Sequence, residues 1–145
     1  MSGPTYTIVA SCLVIAVLAC SDSMMSPVPD VSGDWAFSDS VSATFGVCTA
    51  SGIAMLGQEG RTISGVINAS EGLCTWADGG SNDNAGPVEI SAGEVTDTSI
   101  TFSAGICHFQ GRFVSEGRIE GDEVCSVLDL AGQTFELIGP FSLSR

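Results

Sequence analysis

The residues best equipped for chemistry are sulfur and imidazole: six cysteines and a single histidine, His108, which directly follows Cys107. A thiol beside an imidazole has the composition of a nucleophile and its base, provided the two groups come within hydrogen-bond reach. The stretch "ICHFQGRFV" alternates as a strand does, so Cys107, Phe109, Gly111 and Phe113 point one way and His108, Gln110 and Arg112 the other. Neighbours in a strand cannot meet, and no catalytic residue is assigned. A lone histidine gives no basis for a histidine-based metal site either. "DGGSNDN", Asp78 to Asn84, satisfies neither the EF-hand spacing nor a repeated calcium motif, and there is no P-loop, Gly-x-Ser-x-Gly or dinucleotide fingerprint. Neither metal nor cofactor is expected, and the chain reads as a non-enzyme.

The remaining cysteines divide by position. Ile8 to Ala19, "IVASCLVIAVLA", is an almost uninterrupted apolar run containing Cys12. As a helix it would cover roughly 20 Å, short of a hydrocarbon core of about 30 Å, which fits the apolar region of a helical signal peptide and not a membrane span. The run ends in Val17-Leu18-Ala19-Cys20, followed by "SDS". This resembles the bacterial lipobox, which implies lipidation of Cys20 as the first mature residue and a stable anchor, at about 0.8 kcal/mol per buried methylene. Here Val17 stands where leucine is usual, and "MSGPTYT" brings no basic residue. Four cysteines are left, Cys48, Cys74, Cys107 and Cys125, an even and widely spaced set without C-x-x-C, which favours two disulfides over zinc. Three connectivities are possible. Proximity along the chain favours Cys48–Cys74 and Cys107–Cys125, each worth roughly 3 kcal/mol in loop entropy.

These side chains need strands to position them. From Val31 onward no helical period appears, but short alternating runs recur: Ile63, Gly65 and Ile67; Ile100, Phe102 and Ala104; Phe135, Leu137, Gly139, Phe141 and Leu143. Glu59-Gly60, Glu71-Gly72, Thr96-Asp97, Glu116-Gly117 and Ala131-Gly132 read as turns, giving eight or nine strands. "SGVINASEGLC" and "QGRFVSEGRIEGDEVC" read as two similar hairpins passing through "SEG". Ala77 to Pro87 reads as the one long loop. So many short antiparallel strands must close or stack to hide their edges, and the expected fold class is all-β: a small antiparallel up-and-down barrel of about eight strands, preceded by a helical signal peptide. The expected divisions are 1–19 as lipoprotein signal peptide, 20–30 as lipidated cysteine and flexible tether, and 31–145 as the barrel domain.

Charge narrows the partners. The net charge of -13 reflects only four basic residues, all arginine, set against 17 acidic ones. Phosphate backbones and anionic headgroups need clustered Lys or Arg, so nucleic acid is not a partner class, while a basic protein is allowed.

Gly33, Trp35 and Phe37 share one face of the first strand, and Arg145 shares the inward face of the last strand with Phe141 and Leu143. In an up-and-down barrel those two strands are neighbours, so the indole and guanidinium can meet at one pole; burial of the indole dominates, and the cation–π contact adds about 0.5–2 kcal/mol. Gly33-Asp34-Trp35 with Arg145 resembles the closing pair of calycins, the superfamily of lipocalins, avidins and fatty-acid-binding proteins. The glycine-rich "SGVIN", "GLC", "GRIEGDEVC" and "GPFSLSR" segments are similar to those of bacterial calycin-like lipoproteins. The resemblance implies a barrel with one open mouth. Avidin-type biotin binding is not expected, since only Trp35 and Trp76 could line a pocket after the leader is removed. Trp76, beside the expected long loop, is the candidate for a mouth-side ligand contact. The expected function is that of a lipid-anchored bacterial cell-envelope barrel facing an oxidising compartment, binding a small apolar ligand or acting as a non-enzymatic accessory protein. The alternative is a proteinaceous inhibitor of a basic hydrolase, such as a protease or lysozyme.

Overall fold

The computed structural model describes residues 27–129 and 131–145. The expected signal peptide and Cys20 lie outside them. Nine strands follow in chain order: β1 (Gly33–Ala43), β2 (Gly46–Glu59), β3 (Thr62–Trp76), β4 (Ser81–Asp83), β5 (Gly86–Val95), β6 (Ser99–Ala104), β7 (Cys107–Ser115), β8 (Arg118–Leu128) and β9 (Thr134–Ser144). Every pairing is antiparallel. β1 pairs with both β2 and β9, and the circuit closes through β3, β5, β6, β7 and β8, so the body is a closed eight-stranded barrel with β4 appended to β3. Closure removes the free edges that so many short strands would otherwise expose.

Alternation sets the interior. In β1 the inward series is Trp35, Phe37, Asp39 and Val41; in β8 it is Ile119, Gly121, Glu123 and Cys125. The closed half is solid, because Phe102 and Phe109 stack at 4.6 Å and Phe141 meets Phe109 edge-on at 5.1 Å. Gly111 and Gly121 face each other across β7 and β8, and a Cβ on Gly111 would lie 2.9 Å from Phe141 Cζ. Gly111 thus leaves the space that the ring fills, while a Cβ on Gly121 would meet the β7 backbone at Gln110 and Gly111.

Two expectations about connections are corrected. Ala77 to Pro87 is not a long loop: a tight turn returns the chain as β4, with Trp76 N donating to Gly80 O at 2.8 Å, and Gly86-Pro87 already belongs to β5. Glu71-Gly72 is not a turn but lies inside β3, where the pairing with β2 slips at Ser51/Gly52. The bulge bends a 15-residue strand where a turn was expected. The second "SEG", at Ser115 to Gly117, does reverse the chain between β7 and β8.

Candidate functional site

The barrel has unlike poles. At one, the turns between β2 and β3, β5 and β6, and β7 and β8 gather, and the chain before β1 crosses the opening. Val31 is fully buried there, Trp35 Nε1 donates to Val31 O at 2.8 Å, and Gln58 accepts from Val31 N. Val28 packs against the core, so the packed chain reaches back past the expected boundary at Val31. The Arg145 guanidinium lies 4.3 Å from the centroid of the Trp35 ring and donates to the carbonyls of Ser32 and Asp30. Trp35 is completely buried. Gly33, at φ +110°, begins β1 beneath this plug in the left-handed region, where a glycine is favoured.

The other pole is open. A cup of about 440 Å³ lies between the phenylalanine cluster and the turns at that end. Its walls include both disulfides, Cys48–Cys74 and Cys107–Cys125, which join directly opposed residues of β2 with β3 and of β7 with β8. These are the two pairings that chain proximity favours, and they are consistent with an oxidising compartment. Trp76 stands at the wall, half-buried, with Nε1 donating to Asn82 Oδ1 at 2.7 Å and its ring stacked on Phe45. Phe45 in turn meets Phe135 at 5.2 Å, so an aromatic row borders the mouth.

Toward the floor of the cup sit two carboxyls that sequence reasoning missed, Asp39 of β1 and Glu123 of β8. Glu123 is 1% exposed, and as a carboxylate its Oε2 has no hydrogen-bond partner. Its Oε1 lies 3.0 Å from Cys125 Sγ, a disulfide sulfur with no proton to give. Burial pushes the Glu123 carboxyl up to about 9, and the adjacent Asp39 charge and a hydrogen bond to Asp39 act in the same direction. Burial also raises Asp39, against the lowering effect of hydrogen bonds from Glu123 and from Ala50 N, the latter at 2.7 Å to Asp39 Oδ1. Burial thus favours the proton on Glu123, from where it can be donated to Asp39, and one proton shared between the two acids relieves their repulsion. The signal was present in the alternation: both acids occupy inward positions between apolar or small neighbours.

Cys107, Glu123 and Cys125 cluster closely, but the two sulfurs are spent in a disulfide, so the group offers a metal one carboxyl and no thiolate. His108 points outward and exchanges a 3.2 Å hydrogen bond with Ser103 Oγ, while Cys107 faces in. The structure thus separates the thiol-imidazole neighbours, brings Trp35 and Arg145 together at the plug, and sets Trp76 at the cup. No protein-family model and no curated protein matches the chain.

Proposed function

We propose that the protein is a lipid-anchored barrel of the bacterial cell envelope that carries a small, largely apolar ligand and performs no chemistry on it. The observation that carries the reading is the cup. About 440 Å³ falls within the range of roughly 300–1,000 Å³ typical of small-molecule sites, with an apolar wall and few polar groups. Calycin-like architecture, inferred from the Gly33, Trp35 and Arg145 arrangement, agrees with a single ligand entrance. Anchoring rests on the lipobox resemblance at Cys20. Because the chain joins the barrel at the plugged pole, and residues 20–27 span at most roughly 25 Å, an acylated Cys20 holds that pole toward the bilayer and turns the mouth away.

Native mass spectrometry of the mature protein with a panel of alkyl and aryl compounds tests carriage. A retained one-to-one adduct is expected, and Ala104→Trp, which fills the cup from β6, should abolish it. An empty spectrum across the panel, or equal binding by the filled variant, defeats the reading. Anchoring is tested separately: Cys20→Ser should lose the acyl mass and leave the membrane fraction.

A further inference from the structure

We propose that the Asp39–Glu123 pair is the recognition element of the cup, and that the ligand is an organic cation, an ammonium or amidinium group on an apolar body. This rests on the cup being a ligand site. The ionisable side chains of the site are all acidic, with Asn82 and Asn84 adding neutral amides. Among the described residues that line it there is no arginine, lysine or histidine. All four arginines lie elsewhere: Arg61 in the β2–β3 turn, Arg112 exposed on β7, Arg118 hydrogen-bonded to Glu120, and Arg145 over Trp35.

A buried carboxyl pair without an internal counter-charge opposes folding, because removing an ion from water costs several kcal/mol unless a partner replaces the lost solvation. An apolar pair of similar volume would fill those positions at no such cost. As a carboxylate Glu123 has no donor for Oε2, and with a proton it can only pass the charge to Asp39, the less buried member, which also lines the cup. Asp39 Oδ1 is already fixed by Ala50 N, which orients the carboxylate without neutralising it. A ligand cation would supply the counter-charge that no residue lining the cup provides. Val88, Ile106, Val127 and Leu137 then receive the apolar body. Asp78, Asp83 and Asp129, in or beside the turns at the mouth, add a field that draws cations inward.

Calorimetric titration with three matched compounds, n-octylamine, 1-octanol and octanoate, separates the two readings. The amine should bind at least ten-fold more tightly than the alcohol at pH 7, and octanoate most weakly. Asp39→Asn, which preserves the acceptor for Ala50 N, should bring the amine down to the level of the alcohol while leaving the alcohol unchanged. Its melting curve reports whether it has folded, and the wild-type comparison needs no variant. If the alcohol or octanoate binds as tightly as the amine, or if folded Asp39→Asn keeps the preference, the cation is wrong and the cup survives. If none of the three binds, both proposals fall.

Discussion

Glu123 lies between Gly121 and Cys125 on the inward face of β8, and its unusual acidity follows from that position. In the unfolded chain its carboxyl loses its proton near pH 4.5, whereas in the barrel it keeps it until about 9. Between those values the folded state binds more protons, so stability is full below the unfolded value and falls as pH rises, by up to about 1.4 kcal/mol per pH unit for one proton. The raised Asp39 acts in the same direction. Urea midpoints should therefore fall from pH 5 to pH 8.5. Glu123→Gln should flatten that profile and unfold later than wild type at pH 8, by roughly 1–3 kcal/mol. A variant with an unchanged slope would mean that the pair does not share a proton. The two acids were legible in principle, since alternation from Trp35 and Phe37 runs straight to Asp39. Alternation read through apolar residues alone passes over an inward acid, because a charge in a strand is ordinarily taken to mark the solvent face.

The elements differ in how far local sequence determined them. β6 and β9 follow directly from the Ile100–Ala104 and Phe135–Leu143 alternation, which the ladder turns into buried Ile100, Phe102, Leu137, Phe141 and Leu143. β3 and β4 were hidden because "SEG" and "DGGSNDN" use turn-forming residues in two ways. In the first the glycine sits in a bent strand beside a bulge; in the second the turn takes only a few residues before pairing resumes. Which outcome occurs depends on the partner strand, β2 for the first and the end of β3 for the second, and not on the turn-forming residues themselves. Long-range pairing also decides what each disulfide does. Cys107–Cys125 closes 18 residues that are already laddered through β7 and β8, so its loss leaves the fold available but weaker. Cys107→Ala with Cys125→Ala should cost about 3 kcal/mol. Hydrogen exchange should quicken at the cup ends of β7 and β8 while the amides of Phe109 and Ile119 stay protected. Loss of protection along the whole strands would show that the bridge, and not the core, closes this side of the barrel.

At the scale of the molecule the barrel has a solid half and a hollow half, and stability and ligand access are thereby separated. The solid half holds Trp35, the phenylalanine cluster and the plug; the hollow half holds the disulfides, the aromatic border and the carboxyl pair. Arg145 tests the separation because it touches only the first. It covers the Trp35 ring and holds the Ser32 and Asp30 carbonyls, so it ties the segment before β1 to the strand that closes the circuit. Arg145→Gln keeps a donor but loses the cation and the fork. The expected loss is about 1–3 kcal/mol, from the cation–π contact and two charge-assisted hydrogen bonds, reduced by their exposure to water. In a Trp76→Phe background, Trp35 is the indole that reports on the barrel, and its emission should shift to the red as the plug loosens. The affinity of the cup for n-octylamine, in the variant that retains Trp76, should stay within two-fold, because the guanidinium and the carboxyl pair belong to opposite poles. A stable variant with blue, unshifted emission would show that burial of the indole alone seals this pole. A large loss of amine affinity would show that the two halves are mechanically coupled through the phenylalanine cluster.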